Sequence, residues 1–406
     1  MSDNAGNTKQ GTGARYTIMS AIVLTAAACL ICATSDGIRN NYGIMLQGII
    51  KNSGVDYASV SLVLAVSQLF YGMIQPVFGL LAERKSNILV LLIGAALTFG
   101  GLMLLPHCRS TIALMGVLGL LMPAGTGAIS YGILLGSISP KIPPHTASLV
   151  SGILTACSGV GNAALSPVIQ SLLAKGGISA AATALAVPVA VLVPLCFYVG
   201  RRPKGYAPVP KTEQGHFGDA LSDRTYRLLM LAFFTCGFHM ALISNHLPSQ
   251  ITTYGITAQT SAWAFSLYGI VTMGGSVLSG WITDRFNMKN VAGVYFGSRT
   301  FITLFFLMSS KSAPAVFVYA AFLGLTGAAT VPPVSGLISR RFGAGRIASL
   351  YGFVFFIHQI GGFLGAWLGG VCYQYTGSYV PIWTADMVLA AIAAAACFAI
   401  RDGKNA

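Results

Sequence analysis

Gly79-Leu80-Leu81-Ala82-Glu83-Arg84 closes one apolar stretch of this chain, and Gly280-Trp281-Ile282-Thr283-Asp284-Arg285 closes another, 201 residues later. The same offset carries Ala147-Ser148-Leu149 onto Ala348-Ser349-Leu350. Self-similarity at a fixed interval marks a duplicated unit. Two copies of that length account for nearly all of the 406 residues.

What is duplicated is apolar. The chain is 8% charged and 54% hydrophobic, where a soluble domain is charged at about a quarter of its positions. Apolar runs long enough to cross a bilayer, about 20 residues each, lie near 16–50, 57–82, 88–106, 110–138, 146–173 and 178–200. Six more lie near 226–252, 259–283, 290–309, 314–338, 346–373 and 379–400. The expected fold is an all-α membrane protein of twelve transmembrane helices in two pseudo-symmetric six-helix halves. The expected divisions are a tail at 1–15, a bundle at 16–200, a linker at 201–225 rich in Pro, Gly and Lys, a bundle at 226–400 and a tail at 401–406. Duplicated bundles of this kind place their site between the halves near the bilayer midplane.

The net charge of +14 does not point to nucleic acid, because the basic residues sit in short loops on alternate sides of the spans. Arg15, Arg84, Lys85, Lys141, Arg201, Arg224, Arg285, Arg340 and Arg401 fall on one side. Lys51, Arg109, Lys175 and Lys311 fall on the other. By the positive-inside rule both termini and the linker are cytoplasmic, in a multi-pass protein of the cytoplasmic (inner) membrane. The polar stretch Met1–Ala14 leads into a span too long for a signal-peptide apolar region, so the first span is expected to stay. The one Cys-x-x-Cys, Cys29 and Cys32, lies inside an apolar run and reads as two small packing residues.

Within the first span, Asp36, Arg39, Asn40, Gly43 and Gln47 recur at spacings of three and four, which puts them on one helix face. Charges at bilayer depth cost roughly 2.5–3.5 kcal/mol each on insertion scales and so face a protein interior or a watery cavity. The stripe marks a pathway. The seventh span loses apolar character at the equivalent place, with Thr235, His239, His246 and Gln250 at helical spacing. Gln68, Tyr71 and Gln75 share a face of the second span, and Tyr268, Thr272 and Ser276 a face of the eighth. His358 and Gln359 precede a glycine-rich face of the eleventh that permits close, movable packing.

The two loop copies resemble the Gly-x-x-x-Asp-Arg-x-Gly-x-Lys signature of the major facilitator superfamily, with Glu83 for the acid, Ser86 and Asn287 where glycine is usual, and Lys289 as the late basic residue. The resemblance implies a gating role for Gly79, Glu83, Arg84, Gly280, Asp284 and Arg285. Ser35-Asp-Gly-Ile-Arg-Asn-Asn-Tyr-Gly-Ile44, Ser158-Gly-Val-Gly-Asn162 and Tyr351-Gly-Phe-Val-Phe-Phe-Ile-His358 are similar to the monocarboxylate porter and oxalate/formate exchanger branch. It further implies that Arg39 stands where the exchanger has a cavity glutamine, and His358 where it has a substrate-pairing lysine. The helix-8 arginine of both relatives is absent here, and Ser276 occupies its place. That departure disfavours small dianions.

The expected substrate-binding set is Arg39, Asn40, Tyr42, Gln68, Tyr71, Asn162, His239, His246, Tyr268, Ser276, His358 and Gln359, with Asp36 and His358 as proton carriers. Arg39 is the expected anchor, because a guanidinium presents a planar fork of donors to a carboxylate. Arg299 is expected to be structural, bonding backbone carbonyls or a neighbouring helix, and Asp386, beside Trp383, to make an interfacial contact outside the site. The expected activity is secondary active transport of a small organic, monocarboxylate-like anion by alternating access, coupled to a proton or to a counter-anion, by a protein working as a monomer. The alternatives are proton-driven efflux of a drug or metabolite, and a membrane sensor. No His-Glu-x-x-His, no Gly-x-Ser-x-Gly and no phosphate-binding loop occurs, so no enzyme chemistry, cofactor or metal is expected.

Overall fold

The computed structural model describes residues 18–142, 147–201, 217–342 and 347–401. The terminal tails, most of the linker and the Glu83 side chain lie outside the described residues. Eleven helical stretches are long and apolar enough to cross a bilayer. One of them, Gly152–Gly200, doubles back at Gly176 and Gly177, where Gly177 takes a φ of 64°. That backbone region suits glycine, and the turn makes two spans out of one stretch, giving twelve.

We label the spans α1 to α12. α1 is Ile18–Asn40 continued by Tyr42–Ser53, α2 Tyr57–Arg84, α3 Asn87–Leu104 and α4 Thr111–Ile138. α5 and α6 share Ala147–Val191, and α6 runs on as Val193–Gly200. α7 is Arg224–Asn245 continued by Leu247–Thr253, and α8 is Ala258–Arg285. α9 is Met288–Met308, α10 Ala313–Gly327 continued by Val331–Phe342, α11 Ile347–Thr376 and α12 Val380–Phe398.

The duplication is visible in local chemistry. Asp56 caps α2 by accepting from the Ser59 amide at 3.0 Å, and Thr257, 201 residues on, caps α8 by accepting from the Thr260 amide at 3.1 Å. Each satisfies an amide that a helix start leaves without a partner. α4 breaks around Ile129 and Ser130, and α10 around Ala328 to Thr330, again at equivalent positions. α1 and α7 are interrupted in the same way as α4 and α10. In α1 the cause is Asn41, whose amide bonds the Gly37 carbonyl at 2.7 Å and competes with the helix ladder.

Packing follows the same two-fold plan. α1 lies against α5 and α7 against α11, and across the halves α2 meets α11 while α5 meets α8. Backbones touch at these crossings: a Cβ on Gly161 would stand 1.8 Å from the Ala33 carbonyl oxygen, and one on Gly237 1.7 Å from that of His358. Larger residues cannot occupy either place.

Hydrogen bonds that join the halves lie at two levels. At the end remote from the termini, Tyr57 of α2 meets His246 Nδ1 at 3.1 Å and the Tyr379 hydroxyl at 2.6 Å, and the Ala58 amide donates to Gln374 at 2.6 Å. Midway, Gln68 donates to Gln359 at 2.8 Å, Asn162 to the Phe265 carbonyl at 3.3 Å and Ser266 to the Ala163 carbonyl at 2.7 Å.

Candidate functional site

Between the halves, from the Gln68–Gln359 level toward the end that carries the termini, lies a cavity of 280 Å³. α1, α2 and α5 form one wall with Asp36, Arg39, Asn40, Gln68, Tyr71 and Asn162. α7, α8, α10 and α11 form the other, with Tyr268, Ser276, His358 and Gln359 among rings and thioethers. A larger open groove of 620 Å³, with Lys51 and Lys175, lies at the remote end. The close approach of Gly43 to the Ser244 carbonyl and the α5–α8 bonds divide it from the central cavity. The central cavity is the candidate site, because the polar groups that are costly at membrane depth converge there.

Arg39 organises its polar wall. Its guanidinium stands 3.9 Å from Asp36, donates to Gln68 Oε1 at 3.3 Å and lies over the Tyr71 ring, 4.2 Å from the centroid. Its Nε is buried and makes no hydrogen bond. Asp36 is held from behind by Cys32, whose thiol donates to it at 3.6 Å. Because Gln68 in turn donates to Gln359, a polar thread runs from Asp36 through Arg39 and Gln68 into the opposite half. Asn40 donates to Ser158 at 3.4 Å, joining α1 to α5.

The other wall is aromatic. Phe265 and Tyr268 stack on α8 with centroids 5.4 Å apart, and Phe355 and His358 stack on α11 at 5.3 Å. Phe233 on α7 meets Tyr351 edge-on at 5.7 Å. Phe233, Phe265, Phe355, Met240 and Met273 did not enter the expected set, because an aromatic or thioether residue inside an apolar run reads the same whether it faces lipid, core or cavity.

Three expected residues lie elsewhere. Tyr42 is buried in the core of the N-terminal half. His246 is at the remote end, where its Nε2 faces the Ala366 carbonyl at 2.7 Å and Tyr57 meets its Nδ1. His239 turns to the back of α7 and pairs with Asp386 of α12, Nδ1 to Oδ2 at 2.7 Å, both side chains 1% exposed. That pair corrects the interfacial reading of Asp386. The physical reason is the helical period: Phe233, Cys236, Met240 and Ser244 of α7 take the cavity side, and His239, one residue and about 100° before Met240, turns toward α12. Arg299 bonds backbone as expected, donating from one terminal nitrogen to the Thr326 and Gly327 carbonyls at 3.2 and 2.8 Å. Those carbonyls belong to the broken end of α10, whose helix ladder no longer uses them.

All eight cysteines are free, Cys29 and Cys32 included. Among the described residues no group of three or more His, Cys, Asp or Glu side chains is arranged to hold a metal ion. In the loop motifs, Arg285 lies over the Trp281 ring at 3.9 Å.

Twelve spans in two duplicated halves around a central cavity are the architecture of a membrane transporter. The Major Facilitator Superfamily model matches residues 25–366 and 229–402, and the chain belongs to that family. Among curated proteins it is similar to the uncharacterized MFS-type transporter YcxA of Bacillus subtilis (strain 168), 24% identical over 88% of this chain and 89% of that protein. It is also similar to the oxalate:formate antiporter of Oxalobacter formigenes, 24% identical over 93% of this chain and 89% of that one. Monocarboxylate transporter 13 of Rattus norvegicus is 24% identical over 87% and 82% respectively. The fold is shared with a bacterial homologue of the human lysosomal transporter Spinster in an inward-facing, occupied conformation, with a TM-score of 0.73, 15% identity and coverage of 95% of this chain and 97% of that one.

Proposed function

We propose that the protein is a secondary active transporter that moves a small organic anion with one carboxylate across the cytoplasmic membrane. The observation that carries this reading is Arg39: a cation in the cavity wall with a buried Nε that makes no hydrogen bond and only a 3.9 Å contact to Asp36. A guanidinium so placed keeps donors for an incoming carboxylate. Names among the relatives that include oxalate, formate and monocarboxylate support the anion class.

With the termini on the cytoplasmic side, the cavity of this structure opens inward and the Tyr57 contacts seal the outer face. Charge then sets the coupling. Asp36 and Arg39 together are neutral, and a carboxylate on Arg39 leaves the cavity one negative charge in excess. A proton on Asp36 restores neutrality and releases Arg39 to the anion, so anion and proton travel together. Exchange of one anion for another satisfies the same balance without the proton.

The test is thermal unfolding of the detergent-solubilised protein with small carboxylates, sugars, organic cations and neutral drugs, repeated in Arg39→Gln. A ligand that binds only the folded state stabilises it by about 2.7 kcal/mol at a hundredfold excess over its Kd. Stabilisation by carboxylates alone, lost in the variant, is the expected result. Stabilisation by cations or neutral drugs regardless of Arg39 would overturn the reading in favour of efflux.

A further inference from the structure

Beyond the anion class, and resting on that reading, the shape and chemistry of the two walls restrict what the anion carries. We infer that the cargo is an aromatic monocarboxylate, its carboxylate on Arg39 and its ring between the stacked pairs of α8 and α11.

Charge fixes the first half of the inference. Among the described lining residues Arg39 is the only lysine or arginine. The next buried cation, Arg299, is engaged with the Thr326 and Gly327 carbonyls behind the wall. Ser276 Oγ is bonded to the Thr272 carbonyl at 2.8 Å and brings no charge. One carboxylate is therefore matched by a permanent cation, and a second would meet no lysine or arginine but only the His358 imidazole at membrane depth, where an unpaired charge is expensive.

Volume and surface fix the second half. A cavity of 280 Å³ is many times the roughly 10–15 Å³ that admits one water. An acid of three or four heavy atoms would leave most of it wet against apolar walls. The far wall carries two stacked pairs: Phe265 and Tyr268 are within 13° of parallel on α8, and Phe355 and His358 within 10° on α11. α8 and α11 flank that wall, α8 packed against α5 and α11 against α2. Ring systems favour offset-stacked or edge-on neighbours, and Phe233, edge-on to Tyr351, offers the second kind. At the polar end, Arg39 already lies over the Tyr71 ring, so a planar carboxylate in its fork lies close to an aromatic face.

The experiment measures equilibrium affinities of the purified full chain for benzoate, cyclohexanecarboxylate, butyrate, acetate and benzyl alcohol, with Phe355→Leu and Phe265→Leu as variants. Phe355 is only half-buried, so its substitution tests the wall even if the buried Phe265 proves necessary for folding. Benzoate is expected to bind at least tenfold more tightly than acetate or butyrate and severalfold more tightly than cyclohexanecarboxylate. The benzoate-to-butyrate ratio should fall about tenfold in Phe355→Leu. Arg39-dependent binding of acetate or butyrate as tight as benzoate, or a ratio unmoved by Phe355→Leu, would overturn the aromatic assignment and leave the anion reading standing. Benzyl alcohol binding as well as benzoate, or no carboxylate binding at all, would overturn both.

Discussion

Moved back by 201 residues, His239 and Asp386 fall on Ile38 and Leu185, two buried residues of the N-terminal core. Tyr319 falls on Leu118 and Arg299 on Thr98. The reverse shift carries Asp36 and Arg39 onto Gly237 and Met240. The halves share a backbone plan and place their charge oppositely. The N-terminal half turns Asp36 and Arg39 into the cavity and has apolar residues where the other half has His239 and Asp386. The C-terminal half lines the cavity with rings and thioethers and buries its charge behind them, where Trp383 packs edge-on against both His239 and Tyr319 and donates to Gln250 at 2.6 Å. Duplication fixes where helices run and break. Which layer carries polarity is free to diverge, and that choice gives each half its own task.

The His239–Asp386 pair offers the largest test of this contrast. Removing one partner of a buried pair strands the other, at about 3–5 kcal/mol, whereas replacing both by apolar residues is often neutral. Asp386→Leu is expected to destabilise by that amount in denaturant unfolding, and His239→Ile added to it, which installs the N-terminal solution, should recover most of the loss. A double variant as unstable as the single one would break the comparison. His239 Nε2 and Asp386 Oδ1 make no hydrogen bonds now, so the double replacement also removes two unsatisfied atoms.

Arg299→Thr, again the N-terminal residue, releases two carbonyls at the break in α10. Bonds from a charged donor contribute about 1.5–3 kcal/mol, so a loss on that order is expected. Thr98→Val in the other half should change stability little, because Thr98 Oγ1 is buried without a partner. Equal melting-point shifts in the two variants would contradict the assignment.

Gln359→Ala cuts the thread between the halves. One neutral hydrogen bond is worth about 1 kcal/mol net, roughly fivefold in a two-state ratio. Distances between spin labels placed across the remote end should shift toward the open population by that factor, and an unchanged distribution would show that the thread does not hold the halves.

The two caps give the smallest and cleanest contrast. Asp56→Ala and Thr257→Ala should each lose about 1 kcal/mol near neutral pH. Hydrogen bonding from Ser59, through its side chain and amide, holds the Asp56 carboxyl below its ordinary value of 3.8. A carboxylate held low contributes stability above its unfolded pKa and loses it as pH falls through the folded one. The Asp56→Ala deficit should therefore fade on acidification below the carboxylate range while that of Thr257→Ala persists, as melting temperatures against pH would show.

Much of this architecture was legible in the sequence. The 201-residue offset and the apolar runs point to twelve spans, and the polar stripe of α1 points to one cavity wall. The helix breaks were not legible, because Asn41 and the segment from Ala328 to Thr330 act through side-chain and tertiary bonds that periodicity does not register. His239 and His246 show a deeper limit. Their spacing placed both on the polar side of α7, but whether that side meets a cavity or a neighbouring helix depends on α12 and on α2, far away in sequence. The aromatic wall was hidden for a related reason, since hydropathy gives a ring the same value against lipid as against cargo.

On the proposed function, in which an anion is carried on Arg39, the thread from Arg39 through Gln68 to Gln359 has a kinetic consequence. An anion that takes Arg39 removes a donor from Gln68, and with it part of what aligns Gln68 toward the opposite half. The occupied carrier then reorients over a lower barrier than the empty one. Flux measured with cargo waiting on the far side should outrun flux into an empty compartment, so the return stroke of the vacant protein, rather than the loaded crossing, sets the pace of net accumulation.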